Sequence, residues 1–446
     1  MIKYIFIVLT ILSHFALAAK KLNILIFLAD DLSTFDVGCY GNKIVRTPAI
    51  DALATEGCRF EMAFTSTAMC TPARSMLYTG LYPHHNGAHM NHGSTNKGVK
   101  SFGQYFQPLG YKVVLAGKGH IQPESVFTME RKKETLADIS EVINGADPFC
   151  LIIASHDPHT PHESGAFDAQ AIPLPPYLPD TPEIRKSREG YYTDIELMDK
   201  AFASYLKVLD DSGKKDNTIT IFLSDHGSSR LAKWTCYEIG LRVPMIIRWP
   251  KHIKAHTSQQ AMINLIDILP TVYQAATEKK LDNIDGKSFL NCLTEQQNHH
   301  RDYIFGTHTN QGIMSGLPFP IRSVRDKRYK YIQNLNPEGI SSNIMTHNQS
   351  FQAYGGGWMT SWAKIGETDD FWAQRHKLIL KRPAEELYDL ANDPWELNNL
   401  ANDSKLDSIK NNLKIQLQTW MSQQNDTGMI AELSVKKRQK STKKGH

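Results

Sequence analysis

Long hydrophobic runs, paired cysteine motifs and a large excess of either charge are all missing from this chain of 446 residues. No segment after the N-terminal region is apolar for about 18 residues, so we expect no transmembrane helix. The six cysteines are spread without metal-ligand spacing, and their pairing is left open by the sequence. The formal net charge of +4 is small for this length, which argues against a nucleic-acid-binding protein.

The N-terminal segment has the pattern of a signal peptide, and the C-terminal segment has that of a basic tail. Lys3 supplies a positive start, residues 4–12 form a short apolar run, and residues 16–18 have the small-x-small pattern of a cleavage site. We therefore predict a signal peptide over residues 1–18 and a secreted or periplasmic mature protein. Residues 436–446 are rich in lysine, which predicts a solvated, disordered basic tail.

Four apolar segments predict the strands of a mostly parallel sheet. Each is nearly continuous in apolar residues, as is typical of strands buried on both faces. The segments are residues 22–29, 111–116, 149–154 and 218–223. The polar clusters that follow them are Asp30 with Asp31, then residues 117–120, 155–159 and 224–227. Because ligands of open α/β sheets bind beyond the carboxyl ends of the strands, we expect these clusters to form one site.

The remaining patterns predict a doubly wound α/β domain followed by a smaller subdomain. Helical patterns over residues 48–56 and 194–209 alternate with the strand segments, which favours helices on both faces of the sheet. Later segments predict short strands of an antiparallel sheet and an amphipathic closing helix over residues 407–421. The predicted short strands are residues 321–325, 329–332 and 386–390. We therefore predict a catalytic domain over residues 19–320 and a C-terminal subdomain over residues 321–435.

The segment that begins at Cys70 is expected to form an anion-binding helix end. Thr71 is a good N-cap, Pro72 suits the first helical position, and Gly80 suits the residue after the last turn. The first amides of a helix have no partners inside it, and the helix dipole is positive there. Arg74 adds a guanidinium that can bind a tetrahedral oxyanion through two hydrogen bonds. Together these features indicate chemistry on phosphate or sulfate.

Three aspartates at the predicted strand ends favour a hard divalent cation. Asp30, Asp31 and Asp225 offer carboxylate oxygens, which suit Ca²⁺ or Mg²⁺ better than a soft metal. Adjacent aspartates at the end of a buried strand repel each other unless a positive charge offsets the repulsion. Taken singly, each of these carboxylates is equally explained as a helix cap or a solvated strand end.

The run Cys-Thr-Pro-Ala-Arg at residues 70–74 resembles the signature of the formylglycine-dependent sulfatases, members of the alkaline-phosphatase-like superfamily. The resemblance continues from residue 22 to residue 250 and returns in the run Glu-Leu-Tyr-Asp-Leu at residues 386–390. Within that family the segments 117–126 and 156–159 are most similar to those of the heparan N-sulfatase (sulfamidase) group. The resemblance implies the doubly wound α/β fold of that superfamily.

The resemblance also implies a set of site residues. The metal ligands would be Asp30, Asp31, Asp225 and His226, with residue 70 completing the coordination of Ca²⁺ or Mg²⁺. Many members of the family have Asn at the position of His226, which leaves the metal's identity less secure than its site. The catalytic residues would be Cys70, Arg74, Lys118, His120, His159 and Lys233.

Each catalytic residue has a role in that family pattern. A maturation enzyme would oxidise Cys70 to formylglycine, whose hydrate attacks sulfur with one hydroxyl and later expels sulfate with the other. Arg74 would hold the hydrate and the anion, and Lys118 would bind a sulfate oxygen. His120 would act as the base for collapse of the intermediate. Lys233 and His159 would contact sulfate and protonate the leaving group.

The substrate implied by the resemblance is a sulfated carbohydrate, either an algal polysaccharide such as ulvan or a glycosaminoglycan, with O- and N-sulfate both open. His308 is a candidate substrate contact, and Trp358 and Trp362 are predicted either to stack on a sugar or to pack in the core. Two other functions compete with the sulfatase. One is a phosphatase or phosphonate monoester hydrolase on the same fold, and the other is a non-catalytic protein that binds sulfated glycans.

Overall fold

The computed structural model describes residues 21–145, 148–163, 165, 167–228, 232–311, 317–341, 343, 346 and 357–433. The predicted signal peptide and basic tail lie outside these residues. Among the helices described, none has both the length and the apolar character needed to cross a bilayer.

Fourteen strands form the sheets of the described residues. They are β1 (Asn23–Ala29), β2 (Cys58–Phe60), β3 (Ala63–Phe64), β4 (Lys112–Gly117), β5 (Glu130–Lys132), β6 (Phe149–Ala154), β7 (Thr218–Ser224), β8 (Met245–Arg248), β9 (Thr257–Gln259), β10 (Ile263–Asn264), β11 (Ile304–His308), β12 (Ile321–Arg325), β13 (Tyr329–Asn334) and β14 (Glu385–Asp389). Eight of them make the central sheet, in the order β5-β4-β6-β1-β7-β8-β2-β9.

The four strands predicted from apolar runs are confirmed, and they lie side by side at the centre of this sheet. β4, β6, β1 and β7 pair in parallel, so their carboxyl ends share one edge. In the register, Ala29 at the end of β1 lies opposite Ser224 at the end of β7. The residues that follow these two strands are therefore neighbours. The sheet is mixed rather than fully parallel, because β8 runs antiparallel to both β7 and β2.

Helices cover both faces of the central sheet. They are α1 (Pro48–Glu56), α2 (Cys70–Thr79), α3 (Pro83–Asn86), α4 (Phe102–Phe106), α5 (Leu136–Asn144), α6 (Pro182–Asp211), α7 (Glu238–Leu241), α8 (Ile268–Thr277), α9 (Leu290–Thr294), α10 (Trp358–Gly366), α11 (Asp370–Leu380) and α12 (Asp407–Gln423). Leu25 and Phe27 of β1 pack toward α1, α5 and α6, whereas Ile24 and Ile26 face the core that includes α2, α4 and α8. This alternation confirms the doubly wound architecture.

A second, antiparallel sheet has the order β11-β12-β13-β14 and packs against α12. It contains all three of the short strands predicted from the sequence, and α12 begins at the predicted residue 407. Its first strand, β11, was not expected. β11 precedes residue 320, so the sheet begins before the predicted start of the subdomain, and the domain limits stay a prediction.

Trp358 and Trp362 lie on α10 and are almost fully buried. The Trp362 Nε1–H donates to the backbone oxygen of Trp372 at 3.0 Å, and the two indole rings of α10 lie 6.1 Å apart. Packing in the core is therefore the alternative that the structure supports for these tryptophans.

Candidate active site

The loops that follow β1 and β7 hold three carboxylates together. Two backbone N–H groups donate to Asp225 Oδ1, that of Asp31 at 3.2 Å and that of His226 at 2.9 Å. Oxygens of Asp30, Asp31 and Asp225 all lie within 4.8 Å of one another, and the three side chains are fully buried. The predicted convergence of the strand ends is thus present.

Positive side chains surround this carboxylate cluster. The Lys233 ammonium lies 3.0 Å from both oxygens of Asp31, and Lys118 pairs with Asp30. Arg74 donates through Nε to Asp225 at 2.9 Å. Because buried charges are costly unless they are paired, these contacts balance three carboxylates with three cations.

The electrostatics of the cluster follow from this pairing. Burial by itself raises the pKa of Asp30, but the charges of Arg74 and Lys118 outweigh it and hold the pKa below its ordinary value. Asp31 behaves in the same way: burial raises its pKa, and the charges of Lys233, His226 and His159 together lower it below the ordinary value. Both groups are therefore carboxylates at neutral pH, which is the form that binds a cation.

Cys70 lies at the first turn of α2 and faces the cluster. Its Sγ is 3.4 Å from His226 Nε2, 3.6 Å from Asp30 Oδ1 and 3.8 Å from Lys118 Nζ. The helix begins at Cys70 itself, two residues before the predicted first helical residue Pro72, so the predicted N-cap residue Thr71 lies inside the first turn.

The expected cap is replaced by contacts from another loop. The Thr71 hydroxyl accepts the N–H of His92 at 3.1 Å, and its own N–H donates to Asn91 Oδ1 at 3.3 Å. At the other end Gly80 adopts φ 68° and ends the helix in a left-handed conformation, as its sequence predicted.

Arg74 is fixed by three neighbours. Besides Asp225, its Nη1 donates to the backbone oxygen of Lys118 at 3.0 Å, and its Nη2 lies 3.4 Å from Asp30 Oδ1. Nη2 makes no hydrogen bond with the described residues although it is buried. A donor in this state has capacity for an oxygen brought by a ligand.

His92 is a site residue that the sequence analysis missed. Its Nδ1 lies 2.9 Å from His120 Nε2, and this contact orients the His120 ring. His120 Nδ1 is buried without a hydrogen-bond partner among the described residues. The polar run around His92 follows no predicted strand, so the sequence contained no periodic signal for its position.

Four residues of this region have positive φ, a conformation that is uncommon for residues other than glycine. They are Asp31 (68°), His92 (58°), His120 (49°) and Trp234 (61°). The Tyr191 hydroxyl supports the strained Asp31 by donating to its backbone oxygen at 3.0 Å. Strain of this kind is concentrated at functional sites, where the surrounding structure maintains it.

The loop after β7 packs closely against the segment that carries Lys233. The Gly227 N–H donates to the backbone oxygen of Gly240 at 2.9 Å. A Cβ at residue 227 would lie 1.8 Å from the backbone oxygen of Ile239, so only glycine allows this approach. The glycine thereby holds the turn that carries Asp225 and His226 against α7.

The remaining predicted site residues lie in different places. His159 Nε2 is 3.9 Å from Asp31 Oδ2, and its side chain is 28% exposed, so it faces the open side of the site. His308 lies on β11, buried beside Arg322, whose Nη1 donates to the His308 backbone oxygen at 3.0 Å. Its role as a substrate contact stays a prediction.

The six cysteines all fall within the described residues and are all free thiols. Cys70 is thus the thiol at the carboxylate cluster, and it is not consumed by a disulfide.

The donor set fits a hard divalent cation. Three carboxylates converge in a buried position, which is the arrangement that Ca²⁺ and Mg²⁺ favour. His226 adds a nitrogen. Burial lowers the pKa of its imidazole, but the charges of Asp225 and Asp31 raise it, and the pKa is about 9. Binding of a cation through Nε2 would therefore release a proton.

The mixed sheet, whose strand ends gather three aspartates beside a helix N-terminus, has the same fold as solved structures of sulfatases. The family model described as "Sulfatase" matches residues 22–278, and the one described as "N-sulphoglucosamine sulphohydrolase, C-terminal" matches residues 227–341. The chain therefore belongs to the sulfatase family and is a sulfuric ester hydrolase. The recognised motif, the fold and the class of enzyme predicted from the sequence are confirmed.

Individual relatives agree with this assignment. The chain is 38% identical over 425 residues to an "Ulvan-active sulfatase" of Formosa agariphila, covering 92% of this chain and 81% of the relative. It is 27% identical over 478 residues to the human "N-sulphoglucosamine sulphohydrolase", covering 93% and 92%. Among solved structures, a 2-O GAG sulfatase superposes with a TM-score of 0.71 at 21% identity, covering 91% of this chain and 93% of the other, which supports the fold.

Proposed function

We propose that this protein removes sulfate from a sulfated polysaccharide outside the cytoplasm, with residue 70 as formylglycine and a divalent cation in the carboxylate cluster. The observation that carries the proposal is the position of Cys70. Its sulfur lies at a helix N-terminus and within 4 Å of a carboxylate, an ammonium and an imidazole. A residue placed there can meet a sulfate group and the ligands of a cation at the same time.

The proposed cation would be held by Asp30, Asp31, Asp225 and His226 together with residue 70. When bound, it would polarise a sulfate oxygen and stabilise the negative charge that grows there during reaction. The cluster without it pairs three carboxylates with Arg74, Lys118 and Lys233. A divalent cation would therefore give the site a net positive charge, which favours an anionic sulfate group.

The formylglycine hydrate supplies the nucleophile in this proposal, and the protein's own side chains position it. Arg74 would hold the hydrate and one sulfate oxygen through its unused Nη2. Lys118 and Lys233 would bind the other sulfate oxygens, since both ammonium groups already face the cluster. Lys233 and His159 would deliver a proton to the leaving oxygen, as His159 lies on the exposed side.

His120 has the electrostatic character of a base. Burial lowers its pKa, the charges of Lys118 and Arg74 lower it further, and the result is a pKa of about 4. The imidazole is therefore neutral at neutral pH and able to accept the proton that leaves when the sulfated intermediate collapses. His120 therefore stays unprotonated near neutral pH, and we expect activity to be lost as the pH falls through about 4 and the imidazole is protonated.

The variant His120→Gln tests this role. It should lower kcat by about 10²–10⁴-fold, the usual contribution of a general base, while leaving the unfolding temperature close to that of the wild type. The matched control is His299→Gln, an exposed histidine paired with Asp302 at 2.9 Å. Wild-type kcat in the His120→Gln variant would show that another group accepts the proton.

The relatives point to two candidate substrates. The higher identity to an ulvan-active sulfatase favours an O-sulfated polysaccharide of the ulvan type. The match of residues 227–341 to the C-terminal region of N-sulphoglucosamine sulphohydrolase favours N-sulfated glucosamine as a second candidate.

Desulfation assays on a small panel test these substrates. The panel contains ulvan oligosaccharides, N-sulfoglucosamine, an aryl sulfate, an aryl phosphate and an aryl phosphonate monoester. We expect sulfate release from ulvan oligosaccharides at a kcat/KM at least tenfold above that for N-sulfoglucosamine. A preference for the phosphate or the phosphonate would instead support the phosphatase or phosphonate hydrolase alternative, and no turnover of any compound would support a binding protein.

A further inference from the structure

A second pocket lies outside the carboxylate cluster, between α11, β14 and the segment that follows Lys233. We call it the aromatic pocket and define it by Tyr177, Tyr237, Trp362, Arg375, Arg382 and Trp395. The cavity has a volume of about 150 Å³, similar to that of a cavity that holds one benzene ring.

Arg382 is unusual among the buried arginines of the described residues. The others each have an Asp or Glu partner within 4.0 Å; they are Arg74, Arg188, Arg248, Arg322 and Arg325. Arg382 is 7% exposed and donates only to neutral oxygens, those of Tyr237 at 2.7 Å and Ser341 at 3.3 Å. A buried guanidinium without a carboxylate partner has capacity to bind an anion.

Arg375 adds a second such cation to the same pocket. Its Nη1 donates to the backbone oxygen of Leu397 at 3.3 Å, and no carboxylate of the described chain pairs with it. Two guanidinium groups therefore line one pocket, and neither has a direct Asp or Glu partner among the described residues.

The two acidic residues that line the pocket are engaged by other groups. Glu386 accepts the hydroxyls of Tyr237 at 2.8 Å and Tyr388 at 2.6 Å, and the amide of Asn334 at 2.7 Å. Glu396 pairs with Lys330 at 3.2 Å. Glu396 is thus paired with a lysine that does not line the pocket. Glu386 makes no ion pair with Arg375 or Arg382, but the Tyr237 hydroxyl that accepts from Arg382 also donates to Glu386, so this carboxylate lies near the Arg382 charge.

Aromatic rings form the walls. Trp395 packs between Phe35 and Tyr177, with ring centroids 4.6 Å and 5.6 Å away. Trp362 is almost fully buried and its indole nitrogen donates to the backbone, so this side chain supports the wall from the core and offers little ring surface to a ligand. Flat aromatic surfaces next to cations suit a ligand with apolar C–H faces and an anionic substituent, and a sulfated or carboxylated sugar has both.

We propose that the aromatic pocket is a second binding site for an anionic sugar unit of the polysaccharide, distinct from the unit whose sulfate is removed. The inference rests on the proposed function, because the ligand is part of the same substrate chain. Two segments link the pocket to the active site. Phe35 follows Asp31 by four residues and packs on Trp395, and Tyr237 follows Lys233 by four residues. The pocket walls are thus close in sequence to the residues Asp31 and Lys233 of the active site.

Binding by catalytically inactive protein tests the site directly. Calorimetric titrations would use ulvan octasaccharides with the Cys70→Ala variant, alone and combined with Arg375→Gln and Arg382→Gln. We expect the two arginine substitutions to raise the Kd at least tenfold. The matched control is Arg328→Gln, which should leave the Kd unchanged. Arg328 is exposed, directly precedes β13 and pairs with Asp389 at 2.7 Å. Neutral dextran should not bind.

Kinetics in the active enzyme separate this inference from the proposed function. Arg375→Gln with Arg382→Gln should raise KM for ulvan octasaccharides about tenfold, with kcat for a small aryl sulfate unchanged. Unchanged KM and Kd in a variant that keeps its unfolding temperature would overturn the second site and leave the sulfatase proposal intact. A wild-type enzyme that hydrolyses the aryl sulfate but neither binds nor desulfates the octasaccharides would overturn both the polysaccharide substrate and the second site. If Arg382→Gln does not fold, Arg375→Gln alone, at a partly exposed position, should still raise KM severalfold, and no change would count against the site.

Discussion

Replacing Cys70 by alanine should lower kcat for sulfate ester hydrolysis by at least about 10⁴-fold, a loss typical for removal of a covalent nucleophile. The reason for this loss is the position of the Cys70 side chain. Cys70 Sγ is the group at the N-terminus of α2 that faces Asp30, Lys118 and His226, and alanine cannot be converted to an aldehyde. Steady-state assays with an aryl sulfate, after confirming the unfolding temperature, measure the effect.

Cys292→Ala is the matched control for this variant. Cys292 is also a buried free thiol, but its Sγ donates to the backbone oxygen of His299, away from the carboxylate cluster. Its substitution should reduce stability by about 1–3 kcal/mol through loss of buried volume and leave kcat unchanged. Full activity in Cys70→Ala would contradict the proposed nucleophile.

The second large effect is expected from Asp225→Asn. Asp225 binds Arg74 and accepts two backbone N–H groups, so it holds together the loops after β1 and β7. Loss of its charge should lower kcat by at least about 10³-fold, as expected when a cation that stabilises the transition state is lost. It should also abolish the rise in unfolding temperature that Ca²⁺ or Mg²⁺ gives the wild type, which would be roughly 5 °C or more at saturating cation.

Asp426→Asn separates the loss of a cation site from the loss of a buried ion pair. Asp426 pairs with Arg322 in the C-terminal subdomain, and both side chains are fully buried. Breaking this pair should cost about 3–5 kcal/mol while the folded enzyme keeps its activity and its response to cations. A variant Asp225→Asn that still responds to Ca²⁺ and Mg²⁺ would show that the cation binds elsewhere or not at all.

The sequence predicted the parts of the site that follow from strand ends. A buried parallel strand must be apolar along its length, so the polar residues after β1, β4, β6 and β7 stood out as ligands. Their meeting at one edge followed from the parallel pairing that those strands require. Asp30, Asp31, Asp225 and Lys118 were found in this way.

Features that depend on contacts between distant segments were harder to predict. His92 orients His120 from a loop with no periodic pattern, and Asn91 replaces the cap expected from Thr71, which moves the start of α2 to Cys70. The strand β11 is short and lies before residue 321, where the predicted pattern of short strands begins. Nothing in its sequence therefore linked it to the antiparallel sheet. The unpaired state of Arg382 is likewise visible only when its neighbours in space are known.

Mass spectrometry of the proteolytic peptide that contains residue 70 tests the central claim most directly, namely that this residue is chemically converted into the nucleophile of a sulfatase. Protein would be purified from a host that has a formylglycine-generating maturation enzyme. The account predicts that the peptide has lost its sulfur and carries an aldehyde that reacts with a hydrazide probe. An active enzyme whose residue 70 remains an unmodified thiol would contradict it.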